Sequence, residues 1–177
     1  MIPLLKLFWG LCRLRYGPEV LPVWPRLLPV MLVIWALTQM LSSSVQQVLT
    51  WGQSFTVHSL HLALALLVAS GLLSLRGFSA RRRQVLAALV GVDWLLTLIR
   101  IPLLLLAMPL GGAEAVWWLM SGFILMLCWE LTARGFILYR ALNTGPVLAI
   151  SLSLAILILA HTLVMLFMPG AMRPMGD

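Results

Sequence analysis

Along this chain the apolar positions do not alternate with polar ones; they gather into five long blocks, and the polar positions collect between them. The blocks cover approximately residues 27–49, 55–75, 85–108, 115–138 and 147–167. Each is long enough for a helix to cross a bilayer core, which takes about 20 apolar residues at about 1.5 Å per residue. Short alternating patches such as HLALALL and SLSLAIL suggest lipid-facing barrel strands. Such strands are only about 10 residues long with polar inward positions, whereas these runs are longer and apolar throughout. The pattern therefore predicts an all-α polytopic membrane bundle of five transmembrane helices. No repeat relates one half of the chain to the other, which disfavours a transporter built on inverted repeats.

The flanks divide the chain into three parts. Residues 1–26 form an amphipathic segment: Leu4, Leu5, Leu7, Phe8 and Leu11 set against Lys6, Arg13 and Arg15 predict a short interfacial helix over 2–15. Tyr16-Gly17-Pro18 breaks it, and Pro22, Pro25 and Pro29 keep the approach to the first span irregular. The five-helix bundle occupies 27–167, and 168–177 is a short tail. Within the bundle, the end of the first span turns polar, SSSVQQVLTWGQSFT. Either Gln39, Gln46 and Gln47 face other helices or a wet vestibule, or the helix stops near Leu41 and residues 42–56 form a loop. Small residues four apart, Ala65 with Ala69 and Ser151 with Ala155, predict close helix contacts.

Composition agrees with the pattern: 62% of residues are hydrophobic, 10% are charged and the mean hydropathy is +1.05, outside the range of soluble domains. A net charge of +7 would suggest a nucleic-acid partner in a soluble protein, but here the charge is sorted by side. Lys6, Arg13, Arg15 and Arg26 precede the first span, Arg76, Arg81, Arg82 and Arg83 separate the second and third, and Arg140 separates the fourth and fifth. The intervening loops on the other side carry no basic residue, and Arg173 follows the last span. The positive-inside rule then places the N-terminus in the cytoplasm and the C-terminus outside, with no nucleic-acid partner. Arg81, Arg82 and Arg83 either simply hold their loop inside or also contact anionic lipid headgroups.

The chemistry-bearing candidates are few. Asp93 and Arg100 lie in the third span and Glu130 and Arg134 in the fourth, each pair sharing a helix face. Counted from the basic ends of two antiparallel spans, both acids lie about 12 Å deep, Arg134 about 6 Å and Arg100 about 22 Å. If the faces meet, Asp93 reaches Arg134, and Glu130 approaches Arg100 at the limit of side-chain length. The quartet is neutral. It reads as a clasp between helices, as a proton or ion pathway in which an acid changes protonation, or as arginines snorkelling to the interfaces.

His58, His61 and His161 are weak candidates for a metal site, lacking an acidic or cysteine partner nearby, and no metal or other cofactor is expected. Ser42, Ser43 and Ser44 have no nucleophile motif. The tryptophans read mostly as interface belts, Trp24, Trp51, Trp117 and Trp118 above all. Cys12 and Cys128 are placed to remain reduced. The start MIPLLKLFWGLCRLR makes neither a good signal peptide nor a lipoprotein processing site.

Five spans, a cytoplasmic N-terminus and Tyr16-Gly17-Pro18 shortly before the first span resemble the Yip1-type membrane proteins. That resemblance implies a five-span bundle, in a family whose eukaryotic members act in vesicle trafficking. The residues themselves predict a non-enzymatic bacterial inner-membrane scaffold, assembly factor or accessory subunit, whose partners are the bilayer and other membrane subunits or further copies of itself. The alternative is a small transporter or proton-coupled permease using Asp93, Arg100, Glu130 and Arg134.

Overall fold

The computed structural model describes residues 2–45, 51–107 and 112–167. These form six α-helices: α1 Ile2–Cys12, α2 Leu27–Val45, α3 Trp51–Leu75, α4 Arg82–Ala107, α5 Gly112–Leu142 and α6 Pro146–Phe167. The last five are long and apolar enough to cross a membrane, and no strand occurs among the described residues. Gln46, Gln47 and the tail 168–177 lie outside them.

Backbone chemistry explains where several helices stop. α3 ends at Leu75, ahead of Gly77, whose φ of 73° is cheap only without a Cβ; the amide of Phe78 then returns to the carbonyl of Leu73 at 2.8 Å. α5 ends at Asn143, φ 52°, a residue type that tolerates the left-handed region. α1 ends ahead of Leu14 at φ 58°, with the amide of Arg15 returning to the carbonyl of Gly10 at 2.9 Å. It therefore stops at Cys12, short of the expected residue 15.

Three expectations about elements need correction. α2 continues through Ser42, Ser43 and Ser44 to Val45, and α3 is already helical at Trp51, so the helix does not stop near Leu41. The buried positions Gln39, Ser42 and Ser43 continue the inward stripe of Met31 and Trp35, and this tertiary burial holds serines that favour turns by themselves. α4 and α5 reach beyond their apolar blocks, from Arg82 and to Leu142, because hydropathy marks only the lipid-immersed part of a helix. In α6, Ser151 and Ala155 are exposed; the buried stripe is Ala149, Ser153, Ile156, Ala160 and Val164. The small-residue pair of α3, Ala65 and Ala69, is buried as expected.

α4 is the axis of the bundle: it packs most extensively on α2, then on α5, and also touches α1 and α3, while α6 packs on α5 and α3. Its sequence suits that place, with Val85, Ala88, Val90, Val92, Leu95 and Leu96 buried around several faces of one helix. α1 packs against α4 and α5, with the Phe8 ring against Gly91 and edge-on to Trp94 at 6.5 Å. The indole of Trp129 donates to the carbonyl of Cys12 at 2.7 Å, satisfying an acceptor that the helix end leaves open.

Candidate functional site

The four charges of the third and fourth spans meet in one connected chain. Nη2 of Arg134 donates to Oδ1 of Asp93 on α4 and lies 2.7 Å from Oε1 of Glu130, one turn earlier on its own helix. Oε2 of Glu130 faces Nη2 of Arg100 at 3.8 Å. Arg134 is buried and the other three are largely so. Arg134 is thus turned inward onto two carboxylates rather than snorkelling. Glu130, whose expected partner was Arg100, has its shorter contact with Arg134. A single buried charge costs roughly 2.5 to 3.5 kcal/mol on insertion scales, so mutual pairing offsets most of a cost that each alone would impose.

Two neighbours complete the chain, and the sequence reading missed both roles. The indole Nε1 of Trp35 on α2 donates to Oδ2 of Asp93 at 2.5 Å, so both oxygens of this carboxylate are bonded. His58 on α3 lies with Nε2 3.1 Å from Nη1 of Arg100 and Nδ1 2.7 Å from the carbonyl of Ser54. Since guanidinium only donates and a carbonyl only accepts, His58 is the Nδ1-protonated neutral tautomer. The chain Trp35–Asp93–Arg134–Glu130–Arg100–His58 therefore joins α2, α4, α5 and α3 at the bundle's centre. Asp93 is fully bonded, whereas Oε2 of Glu130 has only the long contact to Arg100.

A second set of polar contacts ties α2 to its neighbours. Trp94 Nε1 donates to Thr38 Oγ1 at 3.0 Å, and Thr38 donates to the carbonyl of Ile34. Ser43 Oγ donates to Ser54 Oγ at 3.3 Å. Trp35, Trp94 and Trp129, which the belt reading did not name, are internal hydrogen-bond donors; Trp24, Trp51, Trp117 and Trp118 are exposed, as that reading requires. The signal that separates the two groups is periodicity, since Trp35 falls on the stripe that includes Met31 and Gln39.

The other candidates stay apart from this chain. The Nδ1 of His61 lies 2.9 Å from the carbonyl of Val57, His161 is exposed on α6, and the Nε2 of His58 is engaged by Arg100. Among the described residues no three His, Cys, Asp or Glu side chains come together. Cys12 is buried and Cys128 exposed, both as free thiols.

Arg81, Arg82 and Arg83 are exposed at the basic end. There Glu19 accepts from Nε of Arg140 at 3.1 Å, and Gln84 donates to the carbonyl of Leu21 at 2.7 Å, docking the segment after α1 onto α4 and α5. Partial burial opposes ionisation of Glu19. Hydrogen bonds from its own backbone and from Arg140, with the charges of Arg140 and Arg81, outweigh this and hold its carboxyl below the ordinary value. No family model, curated protein or solved structure matches this chain.

Proposed function

We propose that the chain is a non-enzymatic, multi-pass scaffold or accessory subunit of a membrane complex, with its basic end toward the cytoplasm of a bacterial inner membrane. The observation that carries this reading is the ion-pair chain: its charges are spent on one another across α4 and α5, with the neutral His58 of α3 accepting from Arg100, the use expected of a clasp. The sorting of basic residues supports the orientation, and the five-span layout with Tyr16-Gly17-Pro18 keeps the Yip1-type resemblance as part of the proposal. In the structure that tripeptide is the turn after α1, with the Tyr16 ring over Gly10. Extraction in mild detergent followed by identification of co-purifying proteins tests the scaffold role. Defined membrane partners should recur, and a chain that emerges repeatedly alone as a monomer sinks it.

One observation favours a second reading, a small proton-coupled transporter: Glu130 keeps a loosely held oxygen beside Arg100. On that reading Glu130→Gln leaves the amount of folded protein normal and abolishes flux in a vesicle assay. On the clasp reading it lowers the amount of folded protein.

A further inference from the structure

Among the described residues, four buried polar atoms without a protein partner belong to just three residues of the half of the bundle away from the arginine-rich end: Nε2 and Oε1 of Gln39, Oγ of Ser42 and Nε of Arg100. Gln39 and Ser42 lie three apart on α2 and so share a face. The bonds from Trp35 to Asp93 and from Trp94 to Thr38 fix how α2 and α4 run side by side. Carried one to two turns onward, the same register brings Arg100 level with Ser42 and Thr97 level with Gln39. Two contacts, Ser43 to Ser54 and Arg100 to His58, bring the first turns of α3 to the same level. The residues of the orphaned atoms therefore lie at one level of the bundle, where α2, α3 and α4 meet.

Buried polar atoms are costly to leave unmet, and Gln39 is fully buried, so these atoms call for a partner that the protein's own side chains do not supply. The donor and acceptor balance says what it is. Gln39 needs one partner that accepts and another that donates, and the N–H of Arg100 needs an acceptor. An anion would leave Oε1 of Gln39 unmet and add charge to a neutral chain, and a cation would face Arg100. Water meets every requirement. It also accounts for the 3.8 Å gap between Arg100 and Glu130, a spacing too long for a direct hydrogen bond and suited to a bridging molecule.

We propose that Gln39, Ser42 and Arg100 hold a bound-water site at the junction of α2, α3 and α4, and that its water bridges Arg100 to Glu130. Hydration then reaches Glu130, while Asp93, bonded at both oxygens, stays closed to it. The site goes beyond the scaffold reading and does not depend on it.

X-ray irradiation of the intact protein in detergent, which generates hydroxyl radicals from bound water, tests this directly. Trp35 and Met31 are both buried on α2, at 5% and 3% exposure, and Trp35 lies one turn from Gln39. Trp35 should be oxidised several-fold more than Met31, despite the ready oxidation of thioethers. Gln39→Leu combined with Ser42→Ala should bring Trp35 down to the level of Met31. Equal oxidation of Trp35 and Met31 in the unmodified protein overturns the site, as does undiminished Trp35 oxidation in a folded double variant. Should that variant fail to fold, the comparison in the unmodified protein decides alone.

Discussion

Arg134 serves two carboxylates through one guanidinium nitrogen, so Arg134, Asp93 and Glu130 are not equivalent. Arg134→Leu leaves Asp93 in the interior without a counter-charge and Glu130 with only its long contact to Arg100, and should cost about 3 to 5 kcal/mol. Asp93→Asn should cost less because Arg134 keeps Glu130, and Glu130→Gln least because Arg134 keeps Asp93 and Arg100 keeps His58. The yield of monodisperse protein after extraction should fall in that order, and exchanging Asp93 with Arg134 should partly restore it. Cys12 gives a second test at this scale. Burial pushes its thiol up to about 12, and the thiolate is the reactive form. Alkylation at pH 8 in a Cys128→Ala background should be slower than in the denatured chain by roughly two to three orders of magnitude. The charges themselves were conspicuous in sequence, because an ionised group inside an apolar run must find a partner. Trp35 and His58 were not, because an uncharged indole within an apolar run demands no partner and an imidazole near a span end has an equally good explanation at the interface.

For whole elements, the question is why α1 docks against the bundle when its amphipathic pattern fits a helix lying in headgroups. Its apolar face is complementary to a notch: a Cβ added at Gly91 would overlap the ring of Phe8. Gly91→Ala should therefore displace α1, and Cys12 reports the event, its alkylation rising toward the denatured rate. Adding Phe8→Leu to Gly91→Ala should recover much of the protection, because the shorter side chain makes room; unchanged Cys12 protection in Gly91→Ala would dismiss the notch. Hydrophobic pattern shows that such a helix exists and which face is apolar, yet not whether lipid or protein covers that face. The same ambiguity misplaced the packed face of α6, where small residues recur on two faces and only packing on α3 and α5 chooses Ala149, Ser153 and Ala160 over Ser151 and Ala155.

Over the whole molecule, the number of spans and their order were legible, because in hydrocarbon a helix must satisfy its own backbone and its length is set by the bilayer. Which helix becomes the axis was not, since the mean hydropathy of α4, 2.0, falls in the middle of the range of 1.5 to 2.5 over the five spans, and what sets α4 apart is being covered on several sides. Nor was the closure of the basic end, where Glu19 and Arg140 bond across 121 positions of chain. Both side chains are well exposed, at 40% and 47%, so the pair contributes at most about 1 kcal/mol. Its value is positional: it latches the segment after α1 to the end of α5. The folded carboxyl sits below its ordinary value of 4.5, so the contribution is complete above that value and disappears as pH falls through the lower, folded one. Amide hydrogen exchange, corrected for the intrinsic pH dependence of exchange, should show residues 17–21 protected at neutral pH and losing protection only once pH has fallen below the ordinary value of the Glu19 carboxyl, while the interior of α4 stays protected. Glu19→Gln should lack this pH dependence and behave at neutral pH as the parent does in acid. Protection of 17–21 that does not change with pH in the parent would mean that Gln84 and the packing of Pro18 hold the segment without the ion pair.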